Sequence, residues 1–187
     1  MHKLLLLLLL SVISYFAIGQ NQSEFVKFGK ITPTHLQTKV YAIDSAANAV
    51  VLSDVADAAI VGNSKGWFSL NLKRHKVVHI LNKNGYDEAN QEISLYVDGD
   101  AEESVENLKA VTYNFEGGKI VETKLDKAGI FKEKESEHRV LRKFTMPNIK
   151  EGSIIEIEYT VVSDLIWNLD PWYFQDNIPT IWSEFIF

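Results

Sequence analysis

Cysteine is absent from the 187 residues, which excludes a disulfide framework, a thiolate metal site and a cysteine nucleophile. Excess positive charge is absent too. The chain sets 19 Lys+Arg against 25 Asp+Glu, for a formal charge of −6. It therefore lacks the basic patch that a phosphate backbone requires, and nucleic acid is not expected as a partner. Beyond the N-terminus no apolar run approaches the ~20 residues of a spanning helix, so the mature chain is expected to have no membrane span. The one G-x-S-x-G, Gly62-Asn63-Ser64-Lys65-Gly66, is read as turn chemistry between β-rich runs rather than the strand-to-helix elbow of a serine hydrolase. What remains is 46% hydrophobic, enough for a core, and the length predicts one domain.

The first nineteen residues read as an address. Met1-His2-Lys3 precedes an unbroken run of leucines from Leu4 to Leu10, and apolar character continues to Phe16. Ala17-Ile18-Gly19 then places small residues at the −3 and −1 positions of a signal-peptidase site. The expectation is a cleaved signal peptide over 1–19 and export to the periplasm or the extracellular space. Asn21-Gln22-Ser23 matches a glycosylation sequon and is read as chance. Residues 20–47 show no sustained period and form an N-terminal extension. Residues 48–187 form the folded domain.

That domain reads as strands. Ala49–Leu52 is the first clear one. Asn63-Ser64-Lys65-Gly66 is turn chemistry, and the run to Leu81 after it is rich in β-branched residues. Further strands are expected over Ile93–Val97, Val111–Phe115, Lys119–Leu125, from Ile130-Phe131, and over Val140–Met146. Gly117-Gly118 supplies the positive φ of a tight hairpin. The clearest alternation is Ile155-Glu156-Ile157-Glu158-Tyr159-Thr160-Val161, which predicts a strand with its isoleucines inward and Glu156 and Glu158 in water. If Pro147–Gly152 closes a hairpin, Lys143 pairs with Glu156 across it. Many short strands between Gly, Asn and Pro turns predict an all-β fold, an antiparallel β-sandwich.

Candidate chemistry is sparse. His75 and His79 would share a strand face about 13 Å apart at ~3.3 Å per residue, too far for one metal ion, and are read as surface or partly packed residues. Asp98–Glu103 offers an acidic loop, but the EF-hand pattern fails at position 6, which is Glu103, and at position 12, which is Lys109. A solvated loop is the plainer reading, with looser calcium binding left open. Glu156 and Glu158 would stand within glycosidase-like spacing, with nothing to place them in a cleft. Glu151-Gly152-Ser153 is read as turn chemistry, with Gly152 in an unusual φ. No catalytic residue, no metal ligand and no cofactor are expected.

Aromatic residues concentrate near the end. Trp167, Trp172, Tyr173, Phe174 and Trp182 form the strongest anomaly of the sequence. Core or interdomain packing is the first reading, and a glycan- or peptide-stacking surface is the second. Asp170-Pro171 and Ile178-Pro179 mark irregular backbone that would present these rings at one end of the sandwich. The apolar ending Phe185-Ile186-Phe187 predicts a domain cut short in its last strand.

Three stretches together carry a resemblance: Lys143–Glu156, with its Lys150-Glu151-Gly152-Ser153-Ile154-Ile155-Glu156; Trp172–Pro179 with Ser183-Glu184; and Asn48–Leu52 with His79–Gly85. Over most of residues 40–187 the chain resembles domain of unknown function 3857, found in exported proteins of Bacteroidetes-like bacteria. The resemblance implies a β-sandwich placed before a transglutaminase-like domain that uses a Cys-His-Asp triad and would begin beyond residue 187. No active-site residue carries over, since no cysteine is present to receive that role. The expected function is a non-catalytic, non-enzymatic domain that packs on or orients that partner domain. The alternative is a glycan- or peptide-binding module that uses the exposed aromatics.

Overall fold

The computed structural model describes Phe25 and residues 27–187. The signal peptide read at 1–19 and the sequon at Asn21 lie outside the described residues. One short helix, α1 (Pro33–Gln37), precedes ten strands: β1 (Ala49–Gly62), β2 (Phe68–Ile80), β3 (Asn90–Asp98), β4 (Ala101–Glu102), β5 (Ser104–Glu116), β6 (Lys119–Lys124), β7 (Phe131–Lys134), β8 (Arg139–Thr145), β9 (Ile154–Ser163) and β10 (Ser183–Ile186). The fold is all-β. A six-stranded sheet runs β10-β1-β2-β9-β5-β6, and a four-stranded sheet runs β4-β3-β8-β7. Every pairing is antiparallel except β1 with β10.

The expected turns carry their chemistry. Gly117 and Gly118 both hold positive φ, 56° and 78°, and join β5 to β6 with Glu116 opposite Lys119. Two central positive-φ residues match the right-handed twist of the flanking strands. The acidic loop is tighter than the sequence suggested. Val97 and Asp98 pair with Glu102 and Ala101, leaving a two-residue turn at Gly99-Asp100. Its carboxylates diverge: Glu102 faces Lys132 at 2.7 Å, while Glu103 is buried and accepts from the Tyr96 N–H at 2.8 Å.

Two sequence expectations are corrected. Pro147–Gly152 does not close a hairpin. β8 pairs with β3 and β7, whereas β9 lies between β2 and β5 in the other sheet. Consecutive strands pair only about two-thirds of the time, and here the loop crosses between layers. Lys143 accordingly meets Glu92 and Glu133, both at 3.2 Å, rather than Glu156. Phe144 and Ile155 do share a core, but across the two sheets.

Glu156 does not face water; it is fully buried. One core lies between the sheets, where Val51, Val78, Ile93, Leu95, Phe144, Ile155 and Ile157 meet. A second lies on the outer face of the large sheet, where Phe25, Ile31 and Leu36 cover Val50, Val77, Tyr113 and Ile154. β9 is thus covered on both faces. Alternation identifies the residues that share a face, but not what lies against the second face. Thr32 caps α1, Pro33 opens it, and Thr32 and His35 close a reciprocal capping box. This cap fixes the turn that sets Leu36 onto the sheet.

Candidate functional site

The inner core stops short of one end of the sandwich. There the floor is Leu70, Leu72, Tyr159 and Val161 of β2 and β9, and one wall is Ile93, Ser94 and Arg139 of the small sheet. The roof is the irregular strap 164–182 between β9 and β10. These parts enclose a cleft of about 360 Å³. The strap follows β1 closely before its final strand: Val51 N–H donates to Pro179 O and Ile181 N–H to Val51 O, each at 2.9 Å. Gln175 pins the strap internally through two hydrogen bonds to the Thr180 backbone.

Trp172 is the wall shared with a second, smaller cavity of about 190 Å³. Its ring is held from three directions. Nε1 donates to Ser183 Oγ at 3.1 Å, the Arg74 guanidinium lies 4.9 Å from the ring centroid, and Phe185 sits 5.6 Å away. Arg74 is itself held by Asp54 through paired hydrogen bonds of 2.8 and 2.6 Å. Burial alone would lower the Arg74 pKa, but the hydrogen bonds and charge of Asp54, with Tyr159, raise it above its ordinary value. In the smaller cavity Lys76 faces a different balance. Burial and the neighbouring Arg74 charge lower its pKa, and burial raises that of Glu88.

The five aromatic candidates divide. Trp167 and Tyr173 are 71% and 72% exposed and Phe174 is exposed, while Trp172 and Trp182 are half-buried. Trp172 and Tyr173 line the cleft; Trp167, Phe174 and Trp182 do not. Sequence reasoning missed Arg74 and Arg139, because neither sits in a motif; the register of β2 against β9 and of β8 against β3 brings them to the same opening.

His75, His79 and the paired glutamates lie elsewhere, on the outer face, and the reading of the two histidines as surface or partly packed residues is corrected. Both are buried. His75 Nε2 lies 2.8 Å from Glu156 Oε1, Tyr113 donates to Oε2 at 2.7 Å, and the Gly29 N–H reaches both oxygens at 3.1 and 3.0 Å. Burial, and secondly this hydrogen bond to Glu156, push the Tyr113 phenol well above its usual range. The cage therefore ties the turn at Gly29 to the sheet. His79 Nδ1 meets the Tyr41 hydroxyl at 2.8 Å, and burial, with Lys39 nearby, lowers its pKa to about 4. Glu158 stands apart between Lys73 and Lys109, at 3.0 and 2.9 Å. Burial opposes its ionisation, but these lysines pull its pKa below the ordinary value. Ser153 is buried against Asn114 rather than set at a nucleophile elbow. Among the described residues no three His, Asp or Glu side chains converge as a metal site.

Fold and cleft define a two-sheet, all-β module with an aromatic end. The model of the Domain of Unknown Function DUF3857, a family with a solved structure, matches residues 69–185, and the chain belongs to that family. Solved structures similar to it include one from Parabacteroides distasonis described as a "putative protease". It is 10% identical over 68% of this chain, with a TM-score of 0.47, and this chain spans 24% of its length. No curated protein matches the chain.

Proposed function

We propose that the chain is the non-catalytic β-sandwich domain of an exported, transglutaminase-like protein, and that its aromatic end packs on and orients the catalytic domain. One observation carries the reading. Trp167, Leu169, Tyr173, Phe174, Ile181, Ile186 and Phe187 are all exposed, and all belong to the strap or to the residues from β10 onward. Apolar surface concentrated in this way marks an interaction site more often than a free surface. The resemblance of the C-terminal third to the domain that precedes transglutaminase-like domains supports this choice of partner. The domain itself is non-enzymatic, and the purified chain turns over neither peptide nor glycoside substrates.

Hydrogen–deuterium exchange tests the docking. It compares this chain alone with the complete product of its gene. Residues 167–187 are expected to gain protection in the longer protein. Equal exchange in both, or a gene product without a Cys-His-Asp domain, overturns the reading. The second reading, a ligand-binding module, rests on the cleft beside Trp172.

A further inference from the structure

We propose that the cleft between the sheets is a binding site for an uncharged saccharide of one or two rings. The cleft shares Leu169 and Tyr173 with the proposed docking surface, but it is lined by this chain's own residues and is tested on this chain alone.

Charge narrows the ligand first. The charged side chains around the cleft have partners inside the protein. Arg74 holds Asp54, and Glu92 is 3.2 Å from Lys143. Glu103 accepts from the Tyr96 N–H, and Arg139 donates to Ser94 Oγ at 2.7 Å while facing Asp170 at 3.6 Å. An anionic ligand would compete with Asp54 and Asp170 for the two arginines, and a cationic one with Lys143 for Glu92, and desolvating a charge without a counter-charge is costly. A neutral ligand has no such cost. Arg139 carries five N–H donors in a fixed fork, so its bond to Ser94 leaves donors for a hydroxyl oxygen, and Asp170 and Asn168 add acceptors at the same rim.

The floor argues against a peptide. Peptides that bind sheets commonly do so by extending a strand edge. The floor strands β2 and β9 are paired on both sides and offer side chains only. Among the described residues the outer edges of β3 before Val97 and of β10 have no strand partner, so a peptide probe is included in the test.

Shape completes the match. A pyranose has an apolar C–H face and a rim of hydroxyls. The cleft pairs an apolar floor and the rings of Trp172 and Tyr173 with a polar rim, in a volume of about 360 Å³, inside the ~300–1,000 Å³ usual for small-ligand sites. Trp172 is already immobilised by Ser183, Arg74 and Phe185, so little ordering entropy remains to be lost on binding.

The test is saturation-transfer NMR with the purified chain and four probes in parallel: cellobiose, N,N′-diacetylchitobiose, digalacturonate and trialanine. At least one neutral disaccharide is expected to bind saturably, with transfer strongest at its C–H protons. Tyr173→Ala and Arg139→Gln should each weaken its Kd at least tenfold. Phe131→Ala, on β7 and outside the cleft, should leave it unchanged. Tyr173 is 72% exposed, so its loss does not threaten the fold, and circular dichroism verifies this for each variant. The proposal is overturned if neither neutral sugar binds, if only digalacturonate or trialanine binds, or if the two cleft variants bind as well as the parent. Failure here leaves the exchange pattern of residues 167–187 unaffected, so the two readings stand or fall separately.

Discussion

Glu156 shows how a single residue can reverse its pattern. By spacing it belongs to the wet face of β9, yet it is fully buried and gathers His75, Tyr113 and the Gly29 N–H on one carboxylate. Glu156→Ala leaves all three groups without their acceptor. Leaving buried hydrogen-bonding groups unsatisfied costs about 1–3 kcal/mol, and the urea midpoint should fall accordingly. Glu156→Gln retains one carbonyl oxygen and should cost less; an equal loss in both variants would show that the cage contributes little. His79 makes a second residue-scale prediction. An unfolded histidine titrates near ~6.5, whereas the buried ring titrates at about 4. Between those values the unfolded chain binds more protons. Stability is therefore fully present above pH ~6.5 and falls as pH drops toward ~4, by roughly 3 kcal/mol in all. Urea titrations at pH 7 and pH 5 should show the loss, and His79→Gln should flatten that part of the profile. A parallel profile in the variant would remove His79 as the cause.

At the scale of elements, local chemistry was legible and long-range pairing was not. Gly117-Gly118 announced its hairpin, because both residues adopt positive φ at low cost. Pro147–Gly152 carried equally plain turn signals, yet Gly152, at φ +83°, serves a crossing between sheets. Turn residues specify backbone curvature; they do not specify which strand follows. Asn84-Gly85 is similar. It lies in a short 3-10 helix over Lys83–Ala89, beyond the end of β2 at Ile80. Gly85 is there for close approach: a Cβ would stand 2.4 Å from Asn48 O, a backbone atom. Asn48 O accepts from Leu81 N–H at 2.9 Å and so cannot easily withdraw. Gly85→Ala should destabilise by about 1–3 kcal/mol, the usual range for overpacking. Gly129→Ala, whose nearest neighbour would be 3.9 Å away, is the control and should melt close to the parent temperature. Similar melting of both variants would discard the steric account.

For the whole molecule, the aromatic end is the feature that connects fold to function. Trp67 and Trp167 are 63% and 71% exposed, while Trp172 and Trp182 are half-buried. Acrylamide should therefore quench chiefly the first two. A Trp67→Phe, Trp167→Phe double variant should retain the poorly quenched emission, and undiminished quenching in it would mean that the strap does not shield Trp172. No helix among the described residues is long and apolar enough to cross a membrane. The strap also forms the roof of the cleft, so one irregular segment serves both an outward apolar face and an inward cavity.

The sequence alone determined the all-β class, the hairpin at Gly117-Gly118, the strand over Ile155–Val161 and the family. Each of these depends on residues close in the chain: alternation, turn chemistry and short blocks of identity. Tertiary structure decided the rest. It buried Glu156, His75 and His79 by laying Phe25 and residues 27–47 over the second face of the large sheet. It sent β8 and β9 into different sheets, and it placed β10 parallel to β1. It assembled the cleft from Arg74, Arg139 and Trp172, which are far apart in sequence. Alternation records which residues share a face of a strand, but the occupant of that face is set by chain that packs from elsewhere, and that packing leaves no local period to read.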